Sequence, residues 1–280
     1  MNYYEVKFSV SPNSTDATDL LAALAGEAGF ESFETSDESL TGYIQQQLFD
    51  RELLDTLIES MPIPGITIAY TVDEVENRDW NEQWEQEGFN PIVVDNTLVI
   101  HDGRHLPTED YSLQVEIDVR QAFGTGTHET TRMICGMLLG IPLDGCRVLD
   151  CGCGSGILGI VAMKCGAASC VGYDIDEWSV DNTRHNAVIN QVDITSLLGD
   201  ASILKNVEGM FDIVLANINR NILLNDMETF RQKMAQGAQL ILSGFYTADI
   251  PMLTTKATEL GLTLTEQREE NDWACLRLKL

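Results

Sequence analysis

Asp150-Cys-Gly152-Cys-Gly154-Ser-Gly156-Ile-Leu-Gly159 is the stretch that decides the fold class of this 280-residue chain. An apolar strand, Val148-Leu149, runs into a glycine turn, and the turn opens a helix from Ile157 to Lys164. A second apolar strand, Cys170-Val-Gly-Tyr, ends on Asp174. Glycines at alternate positions let backbone approach a bound molecule where a Cβ would clash. An acid closing the next strand is placed to accept hydrogen bonds from ribose hydroxyls. Together they predict a nucleoside-cofactor site in a doubly wound α/β domain.

Two cofactors compete for that site. Gly154-Ser-Gly156-Ile-Leu-Gly159 satisfies the dinucleotide fingerprint, with Asp174 about twenty residues on, so an NAD-binding oxidoreductase is one reading. Three features favour S-adenosylmethionine. Asp150 can face a cationic ligand such as a methionine ammonium, whereas it would repel a pyrophosphate. Gly199-Asp200 closes a third strand, Ile194 to Leu198, where a carboxylate can accept from an adenine amino group. A fourth strand, Phe211 to Ala216, ends in Asn217-Ile218, a polar group at the carboxyl edge where open α/β sheets bind ligands.

Working outward, the rest of the doubly wound pattern follows. A helix from Glu129 to Leu139 precedes the first parallel strand at Arg147. Later helices fall near Trp178 to Asn190, Ile222 to Ala235 and Ile250 to Leu260. Strands recur at Ala238 to Ser243 and, as a closing pair, at Thr263 to Gln267 and Trp273 to Lys279. Seven strands ending in a hairpin fit a class I methyltransferase sheet better than an ordinary dinucleotide domain. Upstream, Ile92 to Ile100 and Leu113 to Asp118 have the alternation of hairpins.

The N-terminal third differs in character. Tyr3 to Val10 alternates as a strand, and Thr15 to Gly29 reads as a helix stopped by its glycine. Two strands, Phe30 to Glu34 and Leu40 to Gln46, flank a polar turn; a helix, Arg51 to Met61, and a strand, Ile66 to Val72, complete the unit. The order βαββαβ predicts a small ferredoxin-like α+β domain. The expected boundaries are 1–73 for this domain, 74–91 for a charged helical connector carrying Trp80 and Trp84, and 92–280 for the catalytic domain.

The net charge of −27 is unevenly placed: residues 1–91 hold 3 Lys/Arg against 19 Asp/Glu. Phosphate contacts need a basic face, so direct nucleic-acid binding is not expected; the acidic field either steers in a basic protein partner or serves general solubility. No apolar run reaches membrane-spanning length and no leader is evident, so neither membrane insertion nor export is expected. Seven scattered cysteines lack metal-ligand spacing, and a reduced cytoplasmic protein without metal is the simplest account.

A second glycine loop, Ala122-Phe-Gly-Thr-Gly-Thr-His-Glu-Thr-Thr131, precedes the helix at Glu129. Its glycines make it mobile, and three hydroxyl-bearing residues beyond them could reach a cofactor from above. Alternatively it is a hinge followed by a threonine-rich cap. Phe123-Gly-Thr-Gly-Thr-His128, the glycine turn from Asp150, Gly172-Tyr-Asp174-Ile-Asp176 and Ala216-Asn217-Ile218, in that order, resemble the ribosomal protein L11 methyltransferase family. The resemblance covers nearly the whole chain. It implies that the N-terminal domain recognises the ribosomal protein and that the class I domain methylates lysine ε-amines and the α-amine. It implies cofactor contacts at Thr131, Gly152, Asp174 and Asn217. Two positions depart from the family pattern: Asn219 where an apolar residue is frequent, and Glu129 where proline is frequent.

The residues allow a mechanism without a dedicated strong base. Asn217 would hold the acceptor amine by its side-chain oxygen and aim the lone pair. Asp174 would fix the ribose, Asp200 the adenine, and Gly152 with Gly154 would admit the methionine portion. His128, at the edge of the glycine loop, is expected to anchor that loop rather than act as base. Asn217-Ile-Asn lacks the Asn-Pro-Pro-Tyr that a glutamine methyltransferase is expected to carry. Another protein or a small-molecule amine as acceptor is the alternative within methyl transfer; a ribosome-assembly binding protein is the alternative outside it. The chain is expected to be a monomer.

Overall fold

The computed structural model describes residues 3–12, 15–30, 32–35, 40–46, 48–61, 63, 65–74, 88–118 and 126–280. The chain divides into two compact units, residues 1–82 and 83–280. The expected connector helix with Trp80 and Trp84 lies outside the described residues, as does the loop at 119–125.

In the first unit, β1 (Tyr3–Ser11), α1 (Thr15–Glu27), β2 (Ser32–Thr35), β3 (Leu40–Gln45), α2 (Arg51–Glu59) and β4 (Thr67–Glu74) follow one another. Their sheet order is β2-β3-β1-β4, with every pair antiparallel. This is the ferredoxin-like arrangement. Alternation in β1 carries the fold: Val6, Phe8 and Val10 are buried while Lys7 and Ser9 are exposed, as a period of two requires. Against that face lie Leu21 and Ala25 of α1, Leu54 of α2, and Phe30.

The second unit opens with a three-stranded sheet, β5 (Ile92–Val94), β6 (Leu98–His101) and β7 (Leu113–Glu116). Here one expectation is corrected. β5 and β6 form a hairpin, but β7 pairs with β6 in parallel. Alternation fixes which face a strand buries and leaves the sense of its pairing open.

Helix α3 (Glu129–Leu139) then leads into a seven-stranded sheet ordered β10-β9-β8-β11-β12-β14-β13. The strands are β8 (Arg147–Cys151), β9 (Ser169–Asp174), β10 (Ile194–Leu198), β11 (Phe211–Asn217), β12 (Met234–Tyr246), β13 (Thr263–Glu270) and β14 (Trp273–Lys279). The helices are α4 (Ile157–Lys164), α5 (Glu177–Ile189), α6 (Arg220–Lys233) and α7 (Ile250–Glu259), with a 3-10 segment at Ala201–Asn206. β8 to β12 pair in parallel; β14 runs antiparallel between β12 and β13. Central strands buried on both faces read as continuous apolar runs, and Ile213 to Ala216 of β11 are all buried. Two cores cover the faces. Leu138, Val148, Ile160 and Ile213 belong to one; Leu149, Leu223, Phe230 and Leu240 belong to the other.

From β8 the chain winds outward through β9 to β10, then returns to the other side of β8 as β11. That reversal leaves a crevice at the carboxyl ends of β8 and β11, the place where doubly wound sheets bind ligands.

Candidate active site

A cavity of about 730 Å³ opens at that crevice, and it is lined by Thr131, Gly152, Gly154, Asp174, Asp200 and Asn217. All six residues expected from sequence therefore meet at one place, though they come from five separate stretches of chain.

The glycine turn forms the floor. The N–H groups of Gly152 and Cys153 both donate to Tyr173 O, at 2.9 and 3.0 Å, tying the turn to β9. Gly154 N–H donates to Asp174 Oδ2 at 2.9 Å, and Gly156 N–H to Cys153 O at 2.7 Å. Gly152 sits at φ +73°, and a Cβ there would collide with Ile218 Cγ2. Ile218 is hemmed in on its other side by Gly244, at φ +92°, where an added Cβ would lie 2.6 Å from Ile218 O. Both positions combine left-handed backbone with close approach, so only glycine fits.

Beneath the turn lies a feature that sequence reasoning missed. Helix α5 turns a polar face inward: Thr183 Oγ1 donates to Gly154 O at 2.9 Å, and Asn186 Nδ2 donates to Ser155 O at 2.9 Å. Asn186 Oδ1 accepts from Asp118 N–H at 3.0 Å, and Asn190 exchanges two hydrogen bonds with the backbone of Glu116. Thr183 and Asn186 are fully buried. The available signal was the spacing Thr183, Asn186, Asn190, which puts three hydrogen-bonding side chains on one helical face. Such a stripe ordinarily reads as solvated surface.

Asp174 has two tasks. Its Oδ2 holds Gly154 N–H, and its Oδ1 accepts from Asp176 N–H at 3.1 Å. A carboxylate oxygen has two lone pairs, so each still has acceptor capacity toward the cavity. Asp200 is exposed and caps the 3-10 segment, its Oδ1 accepting from Ser202 N–H at 2.9 Å. The bonds from Ser202 hold its carboxyl below the usual carboxylate range, so it is ionised at neutral pH. Asn217 ends β11 half-buried, with its Nδ2 3.5 Å from Thr131 Oγ1. Asn219 caps α6 by accepting from Asn221 N–H at 2.8 Å, a task an apolar residue could not perform. Glu129 accepts from Asn271 Nδ2 at 3.0 Å and so ties α3 to the β13–β14 turn, which accounts for an acid at that position.

Asp150 contradicts its expected role. It is 1% exposed and does not line the cavity. Strand parity puts it on the face of Val148, under α4, where its Oδ2 accepts from Gly159 N–H at 3.0 Å and its Oδ1 has no partner. Burial pushes its carboxyl up to about 7, the Gly159 N–H opposing and the Asp174 charge adding to the rise. Of the three hydroxyls beyond the second glycine loop, only Thr131 reaches the cavity. Thr130 is turned to His128, its Oγ1 2.9 Å from Nδ1. His128 itself caps α3, stands edge-on to Trp273 and is absent from the cavity wall. Cys153 does line the cavity, but burial pushes its thiol up to about 12, so it is protonated at neutral pH. Among the described residues no group of three or more His, Cys, Asp and Glu could hold a metal ion.

Comparison with known proteins agrees in kind. The family model for ribosomal protein L11 methyltransferase (PrmA) matches residues 12–280. A ribosomal protein L11 methyltransferase of Bacteroides thetaiotaomicron is 46% identical over 278 residues, 99% of each chain. Its counterpart from Porphyromonas gingivalis is 44% identical over 99% of this chain and 97% of that one. Among solved structures, a ribosomal protein L11 methylase from Lactobacillus delbrueckii subsp. bulgaricus is similar with a TM-score of 0.62 and 27% identity, covering 68% of this chain and 98% of that one.

Proposed function

The chain belongs to the ribosomal protein L11 methyltransferase family, and from this we propose that it transfers methyl groups from S-adenosylmethionine to the lysine ε-amines and N-terminal α-amine of ribosomal protein L11. The observation that carries the proposal is the convergence of Thr131, Gly152, Gly154, Asp174, Asp200 and Asn217 on one cavity at the reversal of strand order.

The residues fit the cofactor. Gly152 and Gly154 give a floor free of side chains where the methionine portion would lie. The N–H groups of Gly152, Cys153, Gly154 and Gly156 are all held within the protein. The turn thus presents few donors to a pyrophosphate, which argues against a nicotinamide dinucleotide. Asp174 would hold the ribose hydroxyls with its remaining lone pairs, and the ionised Asp200 would accept from the adenine amine. When bound, S-adenosylmethionine supplies a methyl group activated by an adjacent sulfonium.

The chain's own task is to present a neutral nitrogen. A free lysine amine has a pKa of about 10.4 and is almost wholly protonated at neutral pH. Ile157, Leu158, Ile218 and Ile222 line the cavity, and desolvation among them disfavours the charged amine. Asn217 would accept from the amine N–H through its side-chain oxygen, with Thr131 fixing the amide from the nitrogen end. His128 lies outside the cavity wall and is not placed to take the amine proton, which would leave to solvent. Cys153, kept protonated by burial, does not compete as methyl acceptor.

The acidic N-terminal unit, a compact body with its own core, is proposed to recognise the basic ribosomal protein. No helix among the described residues is long and apolar enough to cross a membrane. A cytoplasmic location, where ribosomal proteins are made, belongs to the same proposal, as does a monomeric state.

The test is intact-mass analysis of ribosomal protein L11 incubated with this protein and S-adenosylmethionine. Stepwise gain of methyl groups is expected. An unmodified L11, with S-adenosylhomocysteine bound tightly, would reject the acceptor; NAD bound in its place would reject the chemistry.

A further inference from the structure

The cavity does not end at Asp200. It runs on between the 3-10 segment at Ala201–Asn206 and α6, where Tyr173, Ser202, Lys205, Asn225, Asp226 and Thr229 form its walls. One wall is a single helical face. Asn225, Asp226 and Thr229 follow Ile222 at three, four and seven residues, the spacing that stacks side chains one above another. That face carries the cavity about 10 Å along α6, at a rise of about 1.5 Å per residue. The facing wall starts from Asp200, which caps the 3-10 segment through Ser202 N–H and is followed by Lys205. Tyr173 lies between the two. It is 5% exposed and shares the α6 side of the sheet with Cys151, its partner in the β8–β9 register. Burial pushes its phenol up, the Cys151, Asp226 and Asp200 groups adding to the rise, so the ring stays neutral.

The order of the proposed cofactor contacts gives this groove its meaning. Methyl transfer is set at Asn217 on β11, the glycine turn follows β8, the ribose sits at Asp174 on β9, and the adenine amine meets Asp200 after β10. The sheet runs in that same order, so the bound molecule would extend outward toward Asp200, where the groove begins. An exocyclic amine bearing one alkyl group still has one N–H to donate to Asp200. Its other valence is then the place from which a substituent enters the groove. Asp200, Ser202, Lys205 and Asn225 are all exposed, so such a group displaces water and no packed core has to move. At about 730 Å³ the cavity also lies in the upper half of the range of about 300–1,000 Å³ usual for small-molecule sites.

We propose that this groove extends the cofactor site and admits adenosyl ligands alkylated on the adenine N6, with Asn225 and Thr229 setting how large a group passes. The inference rests on the S-adenosylmethionine reading above and deepens it. Recognition of the cofactor is then one-sided. The ribose and methionine ends are held closely by Asp174 and the glycine turn, whereas the far edge of the base is read by one hydrogen bond at Asp200.

Calorimetry on the full-length protein tests this with S-adenosylhomocysteine and its N6-butyl derivative. The proteins compared are the wild type, Asn225→Trp and Thr229→Trp. Wild type is expected to bind the derivative within about tenfold of the parent compound. A tryptophan filling the groove from α6 is expected to weaken the derivative by roughly tenfold to a hundredfold in at least one variant, with parent affinity unchanged. A derivative more than about tenfold weaker than the parent in the wild type overturns the proposal. Equal affinity for the derivative in the wild type and both variants overturns it as well. If S-adenosylhomocysteine itself fails to bind, the cofactor reading fails and the groove with it; tight binding of the parent with the derivative refused strikes the groove alone.

Discussion

Asp150→Asn gives the sharpest test of how the site is built. In the folded protein the Asp150 carboxyl is raised from 3.8 to about 7, chiefly by burial. In the unfolded chain it titrates near 3.9. A raised acid favours the folded state while protonated: its contribution is fully present below about pH 4 and is lost as pH rises to 7. The loss amounts to about 1.4 kcal/mol per unit, so some 4 kcal/mol is the ceiling above pH 7. Asparagine keeps an acceptor for Gly159 N–H and cannot ionise. Relative to wild type, Asp150→Asn should therefore become progressively more stable between pH 5 and 7 and hold that advantage at pH 8. Urea unfolding of the two proteins side by side at each pH measures the difference, and other titrating groups cancel. A stability difference independent of pH, or one growing toward acid, would refute a buried carboxylate at this position.

Asp174→Ala removes the acceptor of Gly154 N–H along with the ribose contact, so calorimetry should find S-adenosylmethionine binding abolished; retained tight binding would remove the ribose assignment. Gly152→Ala, at positive φ and against Ile218, should cost about 1–3 kcal/mol of stability and weaken the cofactor further, which thermal melts with and without S-adenosylhomocysteine would separate. His128→Ala should keep substantial methyl transfer in single-turnover assays, since the histidine is a cap; loss of the chemical step with cofactor bound would make it a base. Removing residues 1–82 should spare S-adenosylhomocysteine affinity and depress turnover of L11, and unchanged turnover would reject recognition by that unit.

Much of this was legible because it is written in local pattern. The alternation of Val6, Phe8 and Val10, the glycine turn after Val148-Leu149, and Asp174 closing the next strand each have one economical reading. Asp150 was misread for a reason that parity could have supplied. Successive strand residues face opposite sides, and Val148 had already claimed the α4 side. The pairing of β7 with β6 was not legible, since an alternating strand looks the same whichever way its neighbour runs. Thr183, Asn186 and Asn190 were invisible for a deeper reason. A polar stripe on a helix says that something hydrogen-bonds there, and only the tertiary fold says whether that something is water.

Asn186 carries a consequence of its own. Its amide works as a two-ended strut, the nitrogen end under Ser155 and the oxygen end under Asp118. No other side chain of that length offers a donor and an acceptor back to back. Aspartate would set oxygen against the carbonyl of Ser155, and glutamine would overreach. Losing this one buried group would remove a tie from the glycine turn and from the stretch entering the second loop together, though 37 positions of chain separate Asp118 from Ser155.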